Sequence, residues 1–123
     1  GEHRPQGGDA AVTLRRRLLL EMDAAGARLL QLASQGDRRR FEDDDGYRCG
    51  IAFLWLRLGE PAARLLSGCL VDSQTLPSWN RLPLLRNSLA HDWDQDIDYD
   101  EWWDSIPTMA VSVGLDVRAL LAA

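Results

Sequence analysis

The chain has 123 residues, of which 46% are hydrophobic and 27% are charged, the composition of a single globular domain. Fourteen arginines, with no lysine, stand against nineteen acidic residues and leave a net charge of −5. This balance excludes a general nucleic-acid coat protein, which needs many cations to neutralise phosphates. No apolar run approaches the roughly 20 residues of a membrane-spanning helix. We therefore expect no membrane contact and a cytoplasmic location, with Cys49 and Cys69 as reduced thiols.

The first predicted element follows a polar stretch, residues 1–10, which we interpret as a disordered leader before one helical domain over residues 11–123. Over residues 13–33, apolar side chains recur at spacings of three and four, which predicts an amphipathic helix. Residues 38–46 are a charged sequence, and we interpret them as a connection. A second apolar stripe over residues 47–66 predicts another helix, with a kink near Pro61 because proline removes a helical hydrogen bond. Ser67 and Gly68 begin its exit.

The second half of the chain continues the helical pattern. After a linker over residues 69–77, a shorter helix is expected to start near Ser78 or Asn80, both good N-caps. The fourth helix is predicted to open at Asp98, with Glu101 completing a capping box and Pro107 producing a bend. Residues 92–100 alternate as a strand would, but their polar members are nearly all Asp, a poor strand former, and no segment shows sustained alternation with β-branched residues. The sequence therefore predicts an all-α protein, an antiparallel four-helix bundle with kinks near Pro61 and Pro107.

The residues most suited to catalysis lie at the end of the third predicted helix, where residues 86–91 have the sequence RNSLAH. The guanidinium of Arg86 can bind phosphoryl oxygens in a bidentate manner. His91 titrates near neutrality and can transfer a proton. From spacing alone, the alternative is a histidine that caps a helix end beside Asp92.

Two other charged features have competing interpretations. The arginine runs at residues 15–17 and 38–40 are either local RNA contacts or, as we favour, solvated helix surface. Alternating aspartates over residues 92–100 suggest calcium, but an EF-hand loop would need Gly and Glu where Ile97 and Trp103 stand. We therefore predict no metal and no cofactor. The aspartates instead stabilise a helix N-terminus, raise the pKa of His91, or receive a basic partner.

The string RNSLAH resembles the Arg, polar residue, few residues, His signature of HEPN domains, and more narrowly that of the HepT-type toxins. Three other segments are similar to that family in the same order: LGEPAARL at residues 58–65, LPSW at residues 76–79, and the acidic, Trp-bearing residues 98–107. The resemblance covers roughly residues 41–121. It departs at Pro61, where the family usually has Ala, and at Trp93, where it commonly has Tyr.

The resemblance implies a HEPN-like bundle that acts as a metal-independent endoribonuclease toxin in a type VII-like toxin–antitoxin pair. Arg86 and His91 are then the catalytic pair, with Asn87 as the supporting polar residue. Ser88 and Trp93 are the predicted substrate-binding residues, since the indole can stack on a base. The implied partners are a second copy of the chain, an RNA substrate and a minimal nucleotidyltransferase antitoxin. The alternative is a non-catalytic HEPN module that binds nucleotide or docks a nucleotidyltransferase.

Helix geometry also favours a homodimer. Five residues at about 100° each leave Arg86 and His91 some 140° apart on a regular helix. Either the helix unwinds before His91, or a two-fold partner completes the site. Trp93 lacks the hydroxyl to which the family's partner enzyme attaches AMP, so we expect steric masking instead of covalent silencing at this position.

Overall fold

The computed structural model describes residues 6–82 and 99–123, and within these ranges the protein is all-α, without strands. Helix α1 spans Gln6–Ala33, α2 spans Arg38–Asp43 and α3 spans Asp45–Ser67. Two short 3₁₀ helices follow, Ser73–Thr75 and Pro77–Arg81. The C-terminal helix runs as α4 over Tyr99–Ser105, a π-helical segment over Ile106–Ala110, and α5 over Val111–Ala122.

Helix α1 packs against both α3 and α5, and the core lies along these contacts. The predicted apolar stripes form this core, since their central members are buried: Leu18, Met22 and Leu29 in α1; Ile51, Trp55, Leu58 and Leu65 in α3; Trp102, Ile106, Met109, Val113 and Val117 in the C-terminal helix. Helices α1 and α3 run antiparallel. The hydroxyl of Tyr47, near the start of α3, contacts the backbone at the end of α1, while Leu58 lies against Gly26 farther back.

The structure differs from the sequence prediction in two places before α3: at residues 6–10 and at residues 38–43. Residues 6–10 are helical and belong to α1, where the sequence predicts a disordered leader. Asp9 lies in the first turn, and a negative charge near the positive end of the helix dipole favours this start. Residues 38–43 form α2 where a connection was expected. Asp37 caps that helix by accepting a hydrogen bond from the Arg40 amide, and the burial of Phe41 holds it against the domain.

The third predicted helix also begins differently. The chain enters it through the 3₁₀ helix Pro77–Arg81, whose N-cap position is Leu76 and carries no side-chain cap. Ser78 and Asn80 both lie inside this 3₁₀ helix, and neither is its N-cap. The other residues assigned to the third predicted helix, including Leu85 and Leu89, lie outside the described residues, as does the predicted cap Asp98.

The two internal prolines behave differently. Helix α3 continues through Pro61 to Ser67, and a kink there stays a prediction. At Pro107 the helix changes to π geometry, at the position where the sequence predicted a bend. Proline cannot donate to the preceding turn. The Thr108 hydroxyl donates to the carbonyls of Asp104 and Ser105 at 3.3 and 3.4 Å, a type of contact that often bends helices.

The end of α3 is a Schellman motif. The Leu70 amide donates to the Leu65 carbonyl at 2.9 Å, and the Cys69 amide donates to the Leu66 carbonyl at 3.2 Å. The left-handed residue is Cys69, with φ of 52°, and not the adjacent Gly68. The sequence therefore placed the helix end correctly, although the residue that carries the unusual backbone conformation is one position later.

One described helix, Tyr99–Ala122, is long and apolar enough to cross a membrane by length and composition alone. The short uninterrupted apolar runs of the sequence do not predict such a segment. The core helix of a soluble protein meets the same criterion when it is mostly buried; here Val113 and Val117 are fully buried, and 33% of the apolar window is buried. One helix of this kind is weak evidence for a membrane.

Candidate functional site

The predicted site lies in residues 83–98, outside the described residues. This applies to Arg86, Asn87 and His91, the predicted catalytic group, and to Ser88 and Trp93, the predicted substrate-binding residues. The structure describes the chain immediately before and after this segment. These two flanks fix where the segment starts and ends on the domain.

The N-terminal flank is anchored by Trp79, which is fully buried. Its indole Nε1 donates to the carboxylate of Asp116 in α5 at 3.2 Å, and the hydroxyls of Ser78 and Ser112 lie 3.1 Å apart. Leu82, the last described residue before the segment, is also buried. The chain therefore enters the predicted site from a turn held firmly against α5.

The C-terminal flank returns at Tyr99 beside a surface that we name the arginine–aromatic corner, made of residues from α2, the start of α3 and α4: Arg38, Arg40, Phe41, Tyr47, Arg48, Tyr99 and Trp103. The Tyr99 ring meets Phe41 edge-on at 5.9 Å and lies 5.3 Å from the guanidinium carbon of Arg48. Trp103 contacts Phe41 at 5.7 Å between ring centroids. Aromatic and cation–π contacts thus hold the start of α4, where the described chain resumes, against α2 and α3.

Arg48 acts within this corner as a helix cap. Its Nη1 donates to the carbonyls of Phe41 and Glu42 at 3.0 and 2.7 Å, at the end of α2, and its Nη2 pairs with Asp45. Its side chain is only 11% exposed. The guanidinium therefore satisfies backbone carbonyls that α2 leaves without an internal donor.

The arginine run at residues 38–40 is paired with carboxylates. Arg38 contacts Asp100 at 3.2 Å and Asp104 at 2.7 Å, and the hydrogen bond that its guanidinium donates to Asp104 raises the pKa of Arg38. Arg39 and Arg40 pair with the carboxylates four residues later, at 3.7 and 3.4 Å. Since its charge is balanced locally, this run fits the solvated-surface interpretation better than an RNA contact.

A second feature, which sequence reasoning missed, is a groove between α1 and α3 with a volume of about 710 Å³. Its described lining is mainly apolar and includes Leu20 and Phe53, which are 46% and 58% exposed. Three arginines and one glutamate complete it: Arg17, Arg28, Arg57 and Glu21. A sequence signal existed, because Gly50 lets the helices approach closely: a Cβ there would lie 3.1 Å from Leu32.

Two titratable groups near the corner have shifted pKa values. Burial raises the pKa of Tyr47 above its ordinary value. The hydrogen bond from the Tyr47 amide lowers the pKa of Asp44, which caps the start of α3. Both shifts move the pKa further from pH 7, so the ionised carboxylate of Asp44 and the protonated hydroxyl of Tyr47 are favoured. Neither pKa is moved toward 7, so these two groups serve structure.

No group of three His, Cys, Asp or Glu side chains within residues 6–82 and 99–123 is arranged to hold a metal ion. The calcium hypothesis for the alternating aspartates falls mainly outside those ranges. Cys49 and Cys69 are exposed free thiols, as the sequence predicts. Comparisons with known protein families, with curated proteins and with solved structures find no match to this chain.

Proposed function

We propose that the protein is a metal-independent endoribonuclease with a HEPN-like four-helix bundle, working as a homodimer. The observation that carries this proposal is the RNSLAH string at residues 86–91 together with three other family-like segments in the same order. A lone Arg and His five residues apart would be a weak signal. Four ordered segments over some two thirds of the chain are more specific.

The described residues of the three other segments occupy structural positions that fit this proposal. In the segment at residues 58–65, Leu58, Ala62 and Leu65 are buried on α3. Trp79 of the second segment and Trp102 of the third are buried as well, and Trp103, the other tryptophan of the third, is partly buried. Because these residues form the core on both sides of the predicted site, they support a likeness in fold more directly than an activity.

The proposed reaction needs three groups. A base removes the proton of a ribose 2′-hydroxyl, whose oxygen attacks the adjacent phosphorus. An acid protonates the departing 5′-oxygen, and a cation stabilises the charge of the transition state. One His91 cannot readily serve as both base and acid in one step. Two chains around a two-fold axis supply two His91 and two Arg86 side chains, which meets all three needs.

Control by a partner would follow a different route from that of the family. Without a hydroxyl at Trp93, a nucleotidyltransferase would silence the enzyme by covering the cleft, with a basic surface on the acidic run. Tyr99 carries the nearest tyrosine hydroxyl in the sequence. Its ring is held between Phe41 and Arg48 at the start of α4, eight residues beyond His91. Intact mass spectrometry after co-expression tests this: adenylylation of Tyr99 or Ser88 with loss of activity would contradict masking.

The alternative function is a non-catalytic HEPN module that binds nucleotide or docks a nucleotidyltransferase. Two observations favour it: the net charge of −5, which opposes binding of a polyanion, and the presence of Trp93. The carboxylate-paired arginine run points in the same direction, since it leaves less free positive charge for RNA.

The deciding experiment is cleavage of RNA by the purified chain in EDTA. The expected products carry 2′,3′-cyclic phosphate and 5′-hydroxyl ends. His91→Ala and Arg86→Ala are each expected to reduce the rate by at least 10²-fold, the lower end for loss of proton transfer. Arg81→Ala is the matched control, because Arg81 is exposed and lies five residues earlier. Circular dichroism checks that each variant keeps its helices.

Two results would decide against the ribonuclease. Full activity in His91→Ala would show that the cleavage does not use this residue, and strict dependence on magnesium would contradict the mechanism. Light scattering at micromolar concentration tests the shared site separately, since a monomer with full activity would contradict the dimer. Saturable nucleotide binding without cleavage would favour the alternative module.

A further inference from the structure

The groove between α1 and α3 presents apolar surface that the described chain leaves uncovered. Phe53 is 58% exposed and Leu20 is 46% exposed, and the groove around them is lined by small, aliphatic and charged side chains. The guanidinium of Arg57 lies 5.9 Å from the centroid of the Phe53 ring. Single exposed hydrophobic residues are ordinary on protein surfaces, but a concave apolar patch with a charged border is typical of an interaction site. This groove is separate from the predicted catalytic residues in the sequence.

The charges on the border of the groove are unbalanced. Arg17, Arg28 and Arg57 line it together with a single carboxylate, that of Glu21. None of these three arginines forms an ion pair within the described residues, whereas every arginine of the run at residues 38–40 does. In a chain with five more acidic than basic residues, carboxylates are plentiful. The groove therefore offers positive charge that the domain does not neutralise itself.

The dimensions of the groove favour an extended occupant. Its lining on α1 runs from Arg17 to Leu32, which at 1.5 Å per residue is about 22 Å. That distance equals the length of a helix of about 15 residues. The lining residues of α1 also recur every three or four positions, which is the spacing of the ridges into which another helix packs.

We propose that this groove docks an acidic amphipathic helix of a partner protein, whose apolar side chains cover Leu20 and Phe53 and whose carboxylates pair with Arg17, Arg28 and Arg57. Helix-in-groove recognition is a recurring mode that uses anchors at such spacings. A second copy placed on the groove by two-fold symmetry would bring the two sets of arginines together, and like charges across an interface oppose association. RNA fits less well, because most of the lining is apolar.

The test uses three fluorescein-labelled 18-residue peptides and the full-length chain. The first carries leucines at helical spacing flanked by glutamates, the second has lysines in place of the glutamates, and the third is a scramble of the first. Fluorescence anisotropy measures binding at low ionic strength, where surface charges act most strongly. The glutamate peptide is expected to bind at least tenfold more tightly than either of the others.

Matched charge reversals locate the binding. Arg28→Glu combined with Arg57→Glu is expected to weaken binding of the glutamate peptide at least tenfold. Arg16→Glu combined with Arg118→Glu changes the net charge equally at exposed positions outside the groove lining, and is expected to change the affinity less than threefold. Phe53→Ser tests the apolar contribution and is expected to weaken binding as well.

Several outcomes would overturn the proposal. These are equal binding of the lysine peptide, equal effects of the two double reversals, and no binding of the glutamate peptide up to millimolar concentration. Dissociation of a homodimer by the groove reversal would show that a second copy occupies the groove. Displacement of the peptide by single-stranded RNA, lost in the groove variant, would assign the groove to RNA. None of these results depends on cleavage activity, so the ribonuclease proposal stands or fails separately.

Discussion

Replacing Tyr47 with Phe removes one hydroxyl that joins the start of α3 to the end of α1. This hydroxyl donates to the Leu32 carbonyl at 2.8 Å, and the Ala33 carbonyl lies 3.2 Å away. Tyr47 is only 4% exposed, and the guanidinium of Arg40 stacks over its ring at 4.3 Å. Since Phe keeps the ring and its packing, the substitution isolates the hydrogen bond.

The size of the effect follows from what the two carbonyls retain. The Leu32 carbonyl still accepts from the Gln35 amide at 3.1 Å, and the Ala33 carbonyl still accepts from the Gly36 amide at 3.3 Å. Neither acceptor is left without a donor, so the cost is that of one net hydrogen bond, about 1 kcal/mol of unfolding free energy. For a domain of this length, we expect Tm to fall by roughly 3–6 °C. Urea unfolding and calorimetry at pH 7 measure both quantities.

The pH dependence gives an independent check. Because burial raises the pKa of Tyr47 in the folded state, the unfolded chain loses this proton first as pH rises. The stability linked to this group is fully present below the unfolded pKa of about 10 and is lost as pH rises through the folded pKa. The stability difference between wild type and Tyr47→Phe should therefore narrow above pH 10, by at most about 1.4 kcal/mol per pH unit.

Gly36 provides a test of the geometry. A Cβ at this position would lie 2.8 Å from both Cζ and Oη of Tyr47, so Gly36→Ala must displace the ring and break the hydroxyl contact. In the Gly36→Ala background the hydrogen bond of the Tyr47 hydroxyl is already lost, so Tyr47→Phe should cost less stability there. The double-mutant cycle should therefore show a coupling energy of about 0.5–1 kcal/mol. Two results would refute the reasoning. The first is additivity of the two substitutions, which would mean a coupling energy near zero. The second is a loss of less than about 0.3 kcal/mol for Tyr47→Phe alone, which is well below the free energy of one net hydrogen bond.

Three further predictions concern single contacts. Asp44→Ala should destabilise the protein by removing the cap of α3. Asp44→Asn should keep the cap but remove the contribution of this carboxyl to the pH dependence of stability. Because the folded state lowers the pKa of Asp44, that contribution is present above the unfolded pKa of about 4 and is lost as pH falls through the folded pKa; acid titrations of wild type and both variants, followed by circular dichroism, measure this. Cys69→Gly should stabilise the protein by roughly 0.5–1 kcal/mol in urea unfolding, since glycine adopts positive φ without strain, and an equal gain from Cys69→Ala would contradict that explanation. Trp79→Phe should cost roughly 1.5–3 kcal/mol because it deletes the partly buried hydrogen bond from the indole to the Asp116 carboxylate, and Asp116→Ala should reproduce part of that loss in the same assay.

The helices that bury wide apolar stripes were predictable from sequence. Stripes such as Leu18, Met22 and Leu29 repeat often enough to define a face, and the structure buries that face. An irregularity of the helix at Pro107 was also predictable in position, because the missing amide is a property of the residue itself. Its π geometry was not, since it depends on how the Thr108 hydroxyl and the neighbouring carbonyls rearrange.

Short elements and surface sites were harder to predict for a physical reason. Helix α2 has six residues and one buried side chain, Phe41. Its stability therefore comes from the Asp37 cap and from contacts of Phe41 with the rings of Tyr99 and Trp103, which are distant in the sequence. The groove likewise results from two helices that are brought together by Gly50 and is invisible in either helix alone. The candidate catalytic residues were predicted by motif, and that prediction rests on sequence.

The arginine–aromatic corner has a consequence for the order of folding. The contact between Tyr47 and Leu32 closes a loop of only fifteen residues, whereas that between Arg38 and Asp104 closes sixty-six. Because the entropy of loop closure grows with loop length, the junction of α1, α2 and α3 can form before the C-terminal helix docks. Substitutions at Gly36 or Tyr47 should then slow refolding, while substitutions at Asp104 should act mainly by speeding unfolding.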